Sequence, residues 1–147
     1  MNKKDNPASA AAACFKEGFC CSQAVFSVYA EQWGLDRDAA MKISDAFGGG
    51  MAIGHTCGAV SGAVMAIGLK YGRTKADDDA AKQKTRALIR EFVEKFTGQH
   101  GSIICKQLLG YDITIPEEAA AAEEKELFST LCPKLIEDAV NIINPMF

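Results

Sequence analysis

Apolar side chains recur along this chain at intervals of three and four residues, and no stretch alternates in the manner of a half-buried strand. Pro7 sits in the first turn of a helix expected over residues 8–17, which Gly18 stops. A second helix starts near Cys20, carries Val25, Phe26, Val28, Tyr29 and Trp33 on one face, and ends at Gly34. Asp36 caps a third that runs to Phe47. Gly48, Gly49 and Gly50 then break the chain, and an irregular loop to His55 leads into an apolar helix over residues 56–71. Gly54, Gly58 and Gly62 are spaced by four, a ridge that lets a second backbone approach closely and makes this the central helix. Asp77, Asp78 and Asp79 open the longest helix, with Leu88, Ile89, Phe92, Val93 and Phe96 as its buried stripe. Gly98 and Gly101 bracket a turn, and Ser102 caps a short helix reaching Leu109. Pro116 opens the next helix and Pro133 the last, which turns Leu135, Ile136, Ala139, Val140 and Ile143 inward. The pattern predicts one all-α domain over residues 1–147, a bundle of about seven helices around a central helix rich in glycine and alanine.

A chain of 147 residues buries roughly 68–70 % of its unfolded surface and needs no disulfide staples. Its six cysteines therefore point to reactive or metal-binding thiols more than to a secreted disulfide scaffold. The net charge of −3, with acids and bases interspersed, offers no basic stripe for nucleic acid. Met1 to Pro7 lacks the apolar run of a secretory signal, so the cytoplasm is the expected location. Residues 51–69 approach a bilayer span in length, but Gly54, His55, Thr56, Gly58, Ser61, Gly62 and Gly68 dilute them, and no membrane association is expected.

Four cysteines share a setting on this map. Cys132 precedes Pro133 as the expected N-cap of the last helix, Cys57 begins the central helix, Cys105 follows Ser102 by three, and Cys21 follows Gly18 by three. Free N–H groups and the helix dipole at such positions lower a thiol pKa and make the sulfur a nucleophile or ligand at neutral pH. Cys14 lies inside the alanine-rich first helix as a packing residue. Cys20 points about 100° away from Cys21 around the helix and has the lesser role of a resolving thiol. His55 and His100 are read as hydrogen-bonding surface groups, with His55 near enough to Cys57 to act as a base. The triple glycine lacks the lysine and hydroxyl of a phosphate loop. Lys70, Arg73 and Lys75 complement the negative end of the central helix, with phosphate binding as the alternative.

Cys21-Ser22-Gln23-Ala24-Val25, Cys57-Gly58-Ala59-Val60-Ser61-Gly62, Cys105 with Leu108-Leu109-Gly110, and Cys132 together resemble the C-GCAxxG-C-C family. Its members are described as redox-active, and some are named as selenoproteins. The family shorthand runs Gly-Cys-Ala where this chain has Cys57-Gly58-Ala59. The resemblance implies functional roles for Cys21, Cys57, Cys105 and Cys132; Cys14 and Cys20 lie outside it.

The leading expectation is a thiol oxidoreductase, in which one thiolate attacks a disulfide, peroxide or other oxidant and a second cysteine resolves the product. Cys57 is the expected attacking sulfur, on account of its helix start, adjacent glycine and nearby His55. Its partner would be a redox protein or a small oxidant. The second reading is a site for zinc or an iron–sulfur cluster held by Cys21, Cys57, Cys105 and Cys132, although no two of them show the short spacing common in such sites. The third is a helical interaction module, such as a homodimer.

Overall fold

Asn6 begins the first helix, its side-chain oxygen accepting the N–H groups of Ala8 at 3.0 Å and Ser9 at 3.4 Å, with Pro7 at the first helical position. The computed structural model describes residues 6–147. Its α-helices are α1 (Pro7–Lys16), α2 (Cys21–Ala30), α3 (Arg37–Asp45), α4 (Gly58–Tyr71), α5 (Asp79–His100), α6 (Cys105–Leu109), α7 (Pro116–Glu124) and α8 (Leu127–Ile143). No strand occurs among the described residues; a single antiparallel bridge joins Thr56 to Ile104.

Several boundaries follow from local chemistry. Gly18 and Gly34, with φ of +111° and +85°, end α1 and the short 3-10 turn after α2. Asp36 and Asp78 accept the N–H groups of Ala39 and Ala81 at 3.0 and 3.1 Å, capping α3 and α5. Gly101, at φ +83°, stops α5. α4 lies at the centre, packed against α2, α5 and α8. Ala59, Val60, Ala63, Ala66 and Ile67 are buried in it and meet Val25, Phe26 and Tyr29 of α2, Phe92 and Phe96 of α5, and Ile136, Val140 and Ile143 of α8 in one core. No helix among the described residues is long and apolar enough to cross a membrane.

Three expectations are corrected. The last helix starts at Leu127, so Pro133 lies inside it and Cys132 is a mid-helix residue instead of an N-cap. The carbonyl that Pro133 leaves without an amide partner is that of Ser129, an exposed residue, where water can satisfy it. Gly98 does not bracket a turn, because α5 runs through it to His100. Ser102 Oγ accepts the N–H of Ile104 at 2.9 Å, one residue before α6, and so orders the approach to that helix without capping it.

Candidate active site

The starts of α2 and α4 are pressed together by glycine. A Cβ at Gly58 would lie 2.3 Å from Cys21 Sγ, and one at Gly62 would lie 2.7 Å from the carbonyl oxygen of Ser22. The missing side chains are thus what allow the Cys21 sulfur to rest on the first turn of α4, beside Cys57. Polar ties fix α2 from its other side. Ser22, fully buried, donates to the Ser44 carbonyl at 2.6 Å, and Gln23 donates to the Met41 carbonyl at 3.0 Å while accepting the Cys20 N–H at 3.0 Å. Ser22 and Gln23, read in the sequence only as neighbours of a cysteine, are the residues that hold Cys21 in place.

Cys21, Cys57, Cys105 and Cys132 line one small cavity of about 30 Å³, closed by Ala59, Leu108, Leu109 and Leu135. Such a volume suffices for roughly one water-sized group. Cys57 and Cys105 are buried, whereas Cys21 and Cys132 keep partial exposure. All six cysteines of the chain are free thiols. A larger surface groove of about 490 Å³, between Phe15, Lys16, Glu123, Glu126, Phe128, Ser129 and Pro133, contains no thiol.

The four sulfurs differ in charge. The thiol of Cys57 hydrogen-bonds to Cys21, and this is the main reason that the Cys21 pKa is lowered to about 7; the backbone amides of Gly49, Ser22 and Cys21 itself add to the effect against the opposing cost of burial. The same hydrogen bond raises the Cys57 pKa well above its ordinary value, reinforced by burial and by the negative charge on Cys21, while the Ala59 amide opposes it weakly. The two shifts run in opposite directions, and the Gly49, Ser22 and Cys21 amides favour the thiolate on Cys21. Burial, with the Cys21 charge nearby, pushes Cys105 up to about 11 and Cys132 up to about 12. Cys57, expected as the attacking sulfur, stands at the N-cap of α4 without a side-chain cap hydrogen bond, and its pKa is raised where that of Cys21 is lowered.

The Gly49 amide reaches Cys21 from an unusual turn. Gly49, Gly50, Met51, Ala52 and Gly54 all have φ between 61° and 69°, so the chain makes a left-handed turn closed by the His55 N–H on the Gly50 carbonyl at 2.9 Å. Met51 and Ala52 hold this conformation despite their Cβ atoms, at a cost of roughly 1–2 kcal/mol each. Gly50 admits no side chain, since a Cβ there would lie 2.4 Å from the His55 nitrogen and 3.0 Å from Cys105 Cβ. Two backbone bonds then lock the turn to the segment before α6: Cys57 N–H to the Ile103 carbonyl at 2.7 Å and Cys105 N–H to the His55 carbonyl at 2.6 Å. The triple glycine expected to be a plain chain break is the element that places both the Gly49 amide and the Cys105 sulfur.

The remaining candidates lie apart from the cavity. Cys14 Sγ sits 3.9 Å from Ser27 Oγ, and burial raises its pKa. Cys20 Sγ faces Ser22 Oγ at 3.2 Å. His55 is exposed and its Nδ1 lies 3.1 Å from Thr56 Oγ1, so it is a surface group as expected. His100 is not a surface group: its side chain is 11 % exposed, with Nε2 3.0 Å from Asp138 Oδ2 and the ring against Phe96. Among the described residues no three His, Cys, Asp or Glu side chains converge in an arrangement that would hold a metal ion.

Residues 19–146 match the family described as "Putative redox-active protein (C_GCAxxG_C_C)". No curated protein and no solved structure matches the chain. The matched span takes in α2 through α8 and all four cysteines that line the cavity; the chain belongs to the C_GCAxxG_C_C family of redox-active proteins.

Proposed function

We propose that the protein is a thiol–disulfide oxidoreductase in which Cys21 is the attacking thiolate and Cys57 the resolving thiol. The observation that carries this reading is the placement of Cys21 Sγ against the first turn of α4, in the cavity it shares with Cys57, Cys105 and Cys132; its pKa is lowered there to about 7, first by Cys57 and then by the Gly49, Ser22 and Cys21 amides. A thiol with a pKa near the ambient pH combines a useful thiolate fraction with good intrinsic nucleophilicity.

In the first step the Cys21 thiolate attacks one sulfur of a substrate disulfide, the substrate S–S bond breaks, and the departing thiolate takes up the Cys57 proton. The Cys57 thiolate then attacks Cys21 Sγ, forming an internal disulfide and releasing the second half of the substrate as a thiol after it takes a proton from solvent. Two electrons pass from the protein to the substrate. An external thiol returns the pair to the reduced state, which fits a reducing compartment such as the cytoplasm. Cys105 and Cys132, held neutral by burial, keep the cavity uncharged around the reacting pair.

The test is incubation of the reduced protein with glutathione disulfide, followed by peptide mapping. The expected product is a Cys21–Cys57 disulfide, with a glutathione adduct accumulating on Cys21 in the Cys57→Ser variant and none at that position in Cys21→Ser. Undiminished disulfide reduction by Cys21→Ser, or a map without the Cys21–Cys57 linkage, would overturn the reading.

A further inference from the structure

The amphipathic pattern of α5 changes sign partway along the helix. Ile89, Phe92 and Phe96 follow one another at helical spacing on its packed side, and Phe92 and Phe96 are fully buried. Continued toward the N-terminus, the same stripe passes through Thr85 and Arg86 and then Lys82, the spacing i, i+3, i+4, i+7 that puts four residues on one face. A helix face turned toward its neighbour is normally apolar, and a departure from that rule marks a place where something other than packing set the sequence.

Here the departure borders an open surface depression of about 270 Å³ between the end of α4 and the first half of α5, lined by Gly72, Arg73, Lys82, Thr85, Arg86 and Ile89, with Arg73 and Arg86 exposed to solvent. Three of its six lining residues are cations and none is an acid. None of the three takes part in a salt bridge among the described residues. Arg73 is held in position by donating Nη1 to the Ala76 carbonyl at 2.7 Å. The Thr85 hydroxyl is buried without a hydrogen-bond partner among the described residues. Of the basic residues past α4, Lys70 is engaged elsewhere, lying over the rings of Trp33, Tyr71 and Phe147 at 5.2 to 5.6 Å.

We propose that this depression is a binding site for a small phosphate-bearing anion. Two guanidinium groups and an ammonium from opposite walls supply the planar, forked donors and the point charge that phosphate oxygens take up. A chain of net charge −3 that gathers three cations, none in a salt bridge among the described residues, around one concavity has there a local charge opposite to its overall one. The volume lies just below the usual range for small-molecule sites, about 300–1,000 Å³, which suits one or two phosphate groups more than a whole nucleotide. The site is separate from the cysteine cavity, with which it shares no residue, and it stands or falls independently of the thiol chemistry.

The experiment is calorimetric titration of the full chain with inorganic pyrophosphate at low ionic strength. Saturable binding of one pyrophosphate per chain is expected, weakened at least tenfold in Lys82→Gln/Arg86→Gln and in Arg73→Gln, and unchanged in Arg90→Gln, which removes a charge from the exposed side of the same helix. Thermal unfolding of each variant establishes that it is folded. No saturable binding, or an equal loss in Arg90→Gln, would overturn the proposal, as would sedimentation with phosphatidate vesicles in the absence of any pyrophosphate titration.

Discussion

Cys21 and Cys57 occupy the same kind of place and end in opposite states. Each stands at the start of a helix, Cys21 as the first residue of α2 and Cys57 as the N-cap of α4, and each faces the same cavity. Yet Cys21 is lowered to about 7 while Cys57 is raised well above its ordinary value. The helix dipole does not separate them. Their mutual hydrogen bond does so first, lowering Cys21 and raising Cys57; the amides of Gly49, Ser22 and Cys21 itself add to the lowering, and burial and the Cys21 charge add to the raising. Once Cys21 carries the charge, it is the acceptor for the Cys57 proton, and the difference reinforces itself.

The largest consequence is a stability profile with opposite slopes on either side of pH 9. A group whose folded pKa lies below its unfolded value stabilises the fold above the unfolded pKa, and that stabilisation is lost as pH falls through the folded value. Cys21 therefore makes stability rise between pH 7 and 9. Cys57, Cys105 and Cys132 act in reverse, because above pH 9 the unfolded chain ionises while the folded one stays neutral, up to about 11 for Cys105 and about 12 for Cys132. Urea unfolding of wild type and variants across this range should show Cys21→Ser losing the rise and Cys132→Ala softening the fall. A Cys21→Ser profile identical to wild type below pH 9 would break the comparison.

Next in size is the effect of Gly58→Ala. The added methyl would meet Cys21 Sγ at 2.3 Å and the Ser22 nitrogen at 2.9 Å, so α2 must move away from α4, at a cost of about 1–3 kcal/mol. The same movement takes Cys21 away from the Cys57 thiol, and its pKa should climb back toward 9. Denaturation midpoints measured together with thiolate absorbance near 240 nm would detect both. Gly68→Ala, where no atom lies within 4 Å of the added carbon, is the matched substitution in the same helix and is expected to leave the Cys21 titration unchanged.

The smallest expected effect concerns the turn that supplies the Gly49 amide. Met51→Gly relieves a left-handed residue of roughly 1–2 kcal/mol of strain but loosens the unfolded chain by about 0.5–1 kcal/mol, a net gain of at most about 1 kcal/mol. Met51 is partly exposed and leaves little packing to lose. Its melting temperature should stay level or rise slightly. A marked fall would mean that the Met51 side chain holds the turn by contacts.

Much of this was legible in the sequence where a local signal decided the outcome. Asp36 announced its helix by capping and the Asp77-Asp78-Asp79 run by its negative charge, Gly18, Gly34 and Gly101 ended theirs, and the four-residue spacing of Gly58 and Gly62 marked a face that another backbone approaches. Pro133 misled because the start of α8 is set by the chain after α7, where Glu126 takes φ +58°, and not by the proline seven residues into the helix. The grouping of Cys21, Cys57, Cys105 and Cys132 was legible from their pattern, but their ranking was not. The opposite shifts of Cys21 and Cys57 draw first on their mutual hydrogen bond and then, on the Cys21 side, on an amide from Gly49, 28 positions further along the chain, delivered by a left-handed turn that no periodicity encodes. Ser22 and Gln23 escaped notice for a related reason: their partners, the carbonyls of Ser44 and Met41, become neighbours only in the folded chain.

The most direct test of the difference between the two helix starts is site-resolved alkylation of folded protein with iodoacetamide between pH 5.5 and 9.5, in a Cys20→Ser background so that Cys21 labelling is unambiguous. Cys21 should label first, with a midpoint near 7, well ahead of Cys57, Cys105 and Cys132. Labelling of Cys57 before Cys21, or a Cys21 midpoint at or above 9, would contradict the assignment of the thiolate to Cys21.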